Sequence, residues 1–248
     1  MPEIPKLLES SQIKSLLGRA DEFRSRIVRA TVVLLIAWTL AFLFAKDLLL
    51  LLKQPLLSAM PQSNINLHFT GPLEVFVSYL HVSFLGAFIG TMPYTFYQLW
   101  VFTSPVLSGD KRKFIKPYFI ASLALFASGM AFCYFAMLPQ AFEFLVGSGT
   151  KVAIPLITVG DYTTLVVYMM LGMGLVSELP IVLILLVNIG FLSLSTLKKG
   201  RRPAVVIILI IAAIVTPTPD PVSQLIMAVP MYILYEAAIL VIQLQEKN

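Results

Sequence analysis

The chain has 248 residues and 27.5 kDa, with 58% hydrophobic residues, 12% charged residues and a mean hydropathy of +0.88. Soluble domains average about 45–50% apolar and about 25% charged residues, so a water-soluble globule is excluded and lipid is the main solvent. A span takes about 20 residues, and with loops this length allows roughly five to seven of them. The lone Cys133 rules out an internal disulfide and a cysteine-based metal cluster, and two histidines, His68 and His81, supply an all-protein zinc site poorly. No metal, cofactor or nucleic-acid partner is expected.

Residues 1–26 mix Lys14, Arg19, Arg24 and Arg26 with Asp21, Glu22 and apolar Ile13, Leu16, Leu17 and Phe23. That spacing predicts an amphipathic helix on the membrane surface. The segment is not a secretory leader, because it is too long and no small-residue cleavage site follows the apolar run. The first span is expected at 27–45. The Leu-rich stretch 48–57 is too short to cross and reads as interfacial, followed by a polar loop at 61–70. Span two, 73–101, enters through Gly71-Pro72 and carries Pro93, which kinks a membrane helix where neighbours satisfy the freed carbonyl.

Span three is expected at 117–138, then a second polar loop near 140–160, then span four at 161–187. Span five, 204–215, is only 12 residues, or roughly 18 Å against a hydrocarbon core of about 30 Å. The turn Thr216-Pro217-Thr218-Pro219-Asp220-Pro221 leads into span six, 222–244. Proline-rich backbone does not face lipid, so the bilayer thins beside this hairpin or protein shields it. The expected fold is therefore a single all-α polytopic membrane domain over 1–248, with six transmembrane helices of which five and six are short. Fifteen of the 18 Lys/Arg fall before span one or in its first turn (Arg29), in the turns after spans two and four, or in the tail, leaving Lys46, Lys53 and Lys151 on the other face. The positive-inside rule then puts both termini in the cytoplasm.

Burying a carboxylate in hydrocarbon costs several kcal/mol unless it finds a partner or a proton. Glu178 stands 13 residues into the apolar run 165–187, with Gly172, Gly174 and Ser177 near it; the bland reading is a hydrogen-bonded structural glutamate, the sharper one a polar site facing a groove or partner helix. Glu236 in span six has Tyr232 and Tyr235 beside it to satisfy it. Glu74 opens span two, where helix capping alone explains an acid. On the cytoplasmic face Asp21, Glu22 and Asp110 interrupt a basic surface. Ordinary ion pairing (Glu22 with Arg26, Asp110 with Lys111) is one reading; a carboxylate site for an arginine-bearing ligand is the other, since a guanidinium fork matches a carboxylate. No G-x-S-x-G, P-loop or dinucleotide fingerprint occurs, and His81 beside Ser83 reads as a polar pair, so no enzyme is expected.

Several segments read together. Tyr97-Gln98-Leu99-Trp100-Val101-Phe102 with Ser104-Pro105, the stretch from Gly129 through Tyr134-Phe135 to Pro139, and Asp161-Tyr162 with Glu178-Leu179-Pro180 come first. Arg201-Arg202-Pro203, Thr216-Pro217 with Asp220, Ser223-Gln224, and Pro230-Met231-Tyr232 with Glu236 follow. In this order the sequence resembles the TatC family, the multispanning core of the twin-arginine protein translocase, over about residues 19–240. The family's H-L-x-E-L-R-x-R signature is matched at Glu22, Arg24 and Arg26 without the leading His-Leu. Lys111 stands where the first loop usually has an acid, so Asp110 serves only with a one-residue shift, and Thr218 is an extra residue in the T-P-P-D turn.

The resemblance implies a receptor for twin-arginine signal peptides of folded cargo in the cell inner membrane. It further implies an oligomer within the Tat complex, single-span TatA- and TatB-type partners, and transport driven by the proton motive force. Signal-peptide binding falls to Glu22, Arg24, Asp110 and Phe102, and partner binding or transport to Glu178, Thr216, Asp220, Gln224 and Glu236. The alternative is a proton-coupled small-solute transporter using Glu178 and Glu236; the sequence shows no inverted repeat, which counts against it.

Overall fold

The computed structural model describes residues 4–59, 67–103, 115–149, 156–216 and 221–247, with side chains at 21–58, 67–103, 116–145, 156–216 and 221–245. The described chain is almost entirely helical, with short turns between the helices and one isolated bridge between His68 and Thr158. Its elements are α1 Ile4–Phe42, α2 Ala45–Leu52, α3 Gln54–Ala59, α4 Pro72–Thr103, α5 Ile115–Phe132, a π-helical turn Cys133–Met137, α6 Leu138–Gly149, α7 Val159–Val176, α8 Leu179–Asn188, α9 Leu194–Lys199, α10 Arg201–Val215 and α11 Pro221–Lys247. Five stretches are long and apolar enough to cross a membrane: Asp21–Phe42, Pro72–Thr103, Lys116–Leu145, Val159–Asn188 and Pro221–Gln245. The sixth, α10, has 15 residues, about 22 Å of helix, short of a core of about 30 Å.

The spans alternate in direction, as contacts at each end show. At one end Phe23 of α1 meets Phe102 of α4 (ring centroids 4.9 Å apart) and Trp100 meets Tyr118 of α5 (5.7 Å). Tyr118 accepts from Asn188 at the end of α8 (3.2 Å) and from Gln245 near the end of α11 (3.3 Å). Tyr235 donates to the Leu197 carbonyl of α9 at the same end (2.8 Å). Arg24, Arg26, Arg29, Lys116, Lys198, Lys199, Arg201 and Arg202 all lie towards it, whereas Lys46 and Lys53 lie towards the other. This is the basic end.

The opposite end is closed by short elements and their carbonyl partners. A helix leaves its last carbonyls without intrahelical donors; at the end of α2 the Leu51 carbonyl accepts from the Tyr134 hydroxyl (2.7 Å) and the Leu52 carbonyl from the Tyr162 hydroxyl. The Glu74 carboxylate accepts from the Thr70 amide and hydroxyl (2.7 Å each) and from the Gly160 amide (2.8 Å). It thereby joins the start of α4 to the start of α7, beside the His68–Thr158 bridge.

Several elements differ from the sequence-based boundaries. No proline interrupts the chain between Pro5 and Pro55, so the N-terminal segment and first span form one helix, broken only by the turn at 43–44. The expected loop at 140–160 is helical to Gly149, because the π turn carries the third span through Pro139 into α6. The fourth span breaks at Ser177–Glu178, where Pro180 occupies the first turn of α8. The sixth helix has 27 residues, so the shortness expected of both final spans is confined to α10.

Inside lipid the helices gain by close packing rather than by leaving water, and glycines set the closest approaches. A Cβ on Gly129 of α5 would stand 1.9 Å from the Ser177 hydroxyl oxygen, and one on Gly172 of α7 would stand 2.0 Å from a Val215 methyl of α10. These approaches fix the break before Glu178 against α5 and hold α10 to the bundle.

Candidate functional site

At the basic end, α1 and α4 build a small polar cluster. Glu22 and Arg26 face the same side of α1, one turn apart. Arg26 Nη2 and Nε both donate to Glu22 Oε1 (2.6 and 3.1 Å), and Nη1 donates to Gln98 Oε1 of α4 (2.9 Å). Gln98 Nε2 in turn donates to the Tyr94 hydroxyl (2.8 Å). The Glu22 side chain is 43% exposed and that of Arg26 17%, so the acid faces outward from an arginine that is mostly covered. Beside this pair a cleft of about 110 Å³ is lined by Phe23, Arg26, Ile27, Gln98, Leu99 and Phe102 among others. Arg24 is exposed and takes no ion pair among the described residues. Asp110 lies outside the described residues.

On the other flank of the same α4 turns a second cavity, about 200 Å³, is lined by Leu99, Trp100, Thr103, Ser122 and Glu178 among others. Leu99 borders both. Glu178 comes to this cavity because the α7 ladder stops at Ser177, whose hydroxyl donates back to the Met173 carbonyl (2.8 Å). Its Oε1 is buried and has no hydrogen-bond partner among the described residues. Trp100 Nε1 donates to the Ser122 hydroxyl across the cavity (3.2 Å). The Glu178 carboxyl also takes a hydrogen bond from the Ser122 side chain, and its one buried oxygen without a partner is costly to keep.

Three further candidates, Glu236, Thr216 and Gln224, are internally satisfied. Glu236 accepts from Arg201 Nη2 (2.9 Å) and from the Tyr232 hydroxyl (3.0 Å); Tyr235, the other expected partner, bonds the Leu197 carbonyl instead. Thr216 is 5% exposed and its hydroxyl donates to the Ala212 carbonyl (2.8 Å). Gln224 Nε2 donates to the Leu209 carbonyl (2.9 Å), tying α11 to α10. Asp220 lies outside the described residues. His81 and Ser83 do not pair: the serine hydroxyl donates to the Tyr79 and Leu80 carbonyls, and His81 Nδ1 is buried without a partner among the described residues. Sequence reasoning missed Gln98, Tyr94 and Ser122 as members of these sites. The signal available for Gln98 was a lone amide in an apolar run one helical turn after a tyrosine.

The family profile described as Sec-independent protein translocase protein (TatC) matches residues 20–230. The chain belongs to the TatC family. It is 36% identical over 219 residues to the Sec-independent protein translocase protein TatC of Desulforapulum autotrophicum, covering 88% of this chain and 80% of that protein. It is 35% identical to the TatC protein of Aquifex aeolicus over 221 residues, covering 88% and 90%. A crystal structure of the twin arginine translocase receptor TatC superposes with a TM-score of 0.81 at 32% identity, covering 91% of this chain and 98% of that one. In this chain, of a family of multi-pass membrane proteins, the matched region begins just before Glu22, Arg24 and Arg26 and includes Glu178 at the α7–α8 break.

Proposed function

We propose that this TatC-family chain is the receptor subunit of a twin-arginine translocase in the cell inner membrane. It forms one polytopic domain over 1–248 with both termini in the cytoplasm, binds the paired arginines of a signal peptide at its basic end, and recruits TatA- and TatB-type single-span partners. The positive-inside rule supports this orientation, since eight of the ten described Lys/Arg side chains gather at one end. The protein does no covalent chemistry; the proton motive force drives transport.

The observation that carries this reading is the Glu22–Arg26–Gln98 cluster. Glu22 already accepts a guanidinium, its own Arg26, and that guanidinium holds a second acceptor in Gln98. An incoming arginine displaces Arg26 from the carboxylate, and Arg26 keeps its bond to Gln98. An exposed i,i+4 pair contributes only about 0.3–0.5 kcal/mol, so the exchange costs little. Hydrogen bonds involving a charged group contribute about 1.5–3 kcal/mol. Phe23 and Phe102 wall the adjoining cleft and supply an apolar surface for residues flanking the arginines. Arg24 stays exposed, and Asp110 is the second acid proposed for the signal.

Partner recruitment falls to the Glu178 cavity and to the α10–α11 edge. A polar side chain on a partner helix satisfies Glu178 Oε1, a bond worth more because the alternative is an orphaned acceptor. The α10–α11 groove, about 270 Å³ and lined by Leu209, Leu225, Val229 and Ile233 among others, gives a partner helix an apolar face beside a span too short for the bilayer. Gln224 and Thr216 hold the geometry of that edge, and Asp220, which lies between them in the sequence, is the further residue proposed there. The Arg201–Glu236 pair removes one of the two free carboxylates a solute carrier would use. The test is export of a folded reporter with a twin-arginine signal in cells carrying Glu22→Ala or Glu178→Ala. Glu22→Ala is expected to abolish signal-peptide crosslinking, while Glu178→Ala keeps crosslinking and loses partner co-purification. Normal export in both variants overturns the proposal.

A further inference from the structure

Several buried hydroxyls in this bundle are spent locally. Those of Ser78, Thr91, Thr163, Ser177 and Thr216 each donate to the carbonyl four residues back, the usual fate of a serine or threonine in a helix. Ser122 of α5 behaves differently. It is 2% exposed, accepts from Trp100 Nε1 of α4 at 3.2 Å, and bonds the Glu178 carboxyl at the α7–α8 break. A hydroxyl that accepts from an indole N–H still has its own proton to give. The chain therefore runs one way, from Trp100 to Ser122 to Glu178, each bond polarising the next. Glu178 Oε1 has no partner among the described residues, so the bond from the serine falls on Oε2. The two oxygens of one carboxyl are thereby made unequal.

The face of α5 that carries Ser122 also fixes the backbone of the break. Tyr118, Ser122, Phe126 and Gly129 follow one another at the i, i+4, i+8, i+11 spacing of a single helix face. Gly129 lies so close to the Ser177 hydroxyl that a Cβ would stand 1.9 Å from it, and a Cβ on Gly174 would stand 2.7 Å from the Phe126 ring. Tyr118 packs on the Trp100 ring (centroids 5.7 Å apart), which holds the indole that reaches Ser122. Packing thus places the Cα of Glu178, but the side chain still has its own rotamers. Among the described residues, Ser122 alone bonds its carboxyl. We propose that Ser122, oriented by Trp100, is the positioning residue of Glu178: it pins one carboxyl oxygen so that the other is presented to a partner helix. This inference rests on the reading that Glu178 meets such a helix. It assigns Trp100 to the partner site, although Trp100 shares its turn of α4 with Gln98 and Phe102 of the signal site.

The experiment uses the full chain co-expressed with TatA- and TatB-type proteins and reads three quantities in each variant. They are partner co-purification, crosslinking to a twin-arginine signal peptide, and the Glu178 carboxyl band in infrared difference spectra against Glu178→Gln. Ser122→Ala is expected to shift the Glu178 band and to leave signal crosslinking unchanged. It is expected to lower partner co-purification about fivefold, because a rotamer-rich side chain must then be ordered on binding. Ser122→Thr keeps the hydroxyl and is expected to restore both band and co-purification. Trp100→Phe keeps an aromatic ring without the N–H and is expected to shift the band and lower co-purification to a smaller extent; it carries the test where Ser122→Ala fails to fold. Wild-type co-purification in Ser122→Ala, or an unshifted band with wild-type co-purification in Trp100→Phe, overturns the positioning role. Where Glu178→Ala still loses its partners in that case, the reading of Glu178 stands alone; where Glu178→Ala keeps them, reading and inference fall together. Loss of crosslinking and co-purification with an unshifted band also overturns the proposal, since the serine would then only hold the fold.

Discussion

Replacing Arg26 by glutamine tests the exchange step, because it removes the competitor without touching Glu22. In the resting structure Arg26 puts two nitrogens on one oxygen of Glu22 and a third on Gln98. If the signal's guanidinium takes that carboxylate, the bound state loses the Glu22–Arg26 pair, about 0.3–0.5 kcal/mol for an exposed i,i+4 contact. Without Arg26 that cost vanishes and the peptide binds about twofold tighter. Removing a cation beside a cation-binding site acts in the same direction, and this part fades as salt shortens the Debye length. The assay is fluorescence anisotropy of a labelled twin-arginine peptide against the protein in nanodiscs, at two ionic strengths. The expected result is a dissociation constant lowered about twofold or slightly more, the excess shrinking at high salt. An affinity weakened more than about fivefold would refute the exchange and make Arg26 a binding group in its own right.

Three further outcomes follow from the packing. Gly129→Ala drives a methyl group against Ser177 and is expected to cost about 1–3 kcal/mol, seen as a lowered Tm in detergent; adding Ser177→Gly restores most of it, and unchanged stability would mean α5 and α7 do not approach as closely as described. A double-mutant cycle of Arg201→Gln and Glu236→Gln is expected to give a coupling of about 0.5–1 kcal/mol, since both side chains are partly exposed; zero coupling would contradict the pairing that removes Glu236 from a carrier role. Glu74→Gln replaces one acceptor oxygen by a donor, so hydrogen exchange at the Thr70 and Gly160 amides should accelerate together. Exchange rates that change at one amide alone would show that the carboxylate does not join the two segments.

What could be read from the sequence was whatever depends on local composition. The spans follow from apolar run length and the short α10 from the residues between Arg202 and Thr216, whereas the break at Ser177–Glu178 was not anticipated in the uninterrupted span 161–187, although Pro180 in the first turn of α8 accounts for it. Glu22 with Arg26 was legible as an i,i+4 pair, and it is one. Gln98 was not recognised as its third member because it stands 72 positions from Arg26, and only the packing of α1 on α4 brings them together. Arg201 as the partner of Glu236, 35 positions away, was hidden for the same reason. The polar stretch after Gln140 carried glycines that signal a loop, yet the π turn absorbs a residue and lets helix continue to Gly149. Composition showed that Glu178 was expensive to bury; only the fold showed one oxygen without a partner, in a cavity shared with Trp100 and Ser122.

The most direct measurement compares the affinities of a twin-arginine peptide and its twin-lysine counterpart for the protein and for Glu22→Gln. Lysine offers a point charge where arginine offers a fork, so the protein is expected to prefer arginine by about 5- to 50-fold, on the order of 1–2.3 kcal/mol. In Glu22→Gln that preference is expected to collapse towards unity. A preference for arginine that survives intact in Glu22→Gln would contradict the account, for the carboxylate would then not be what reads the signal.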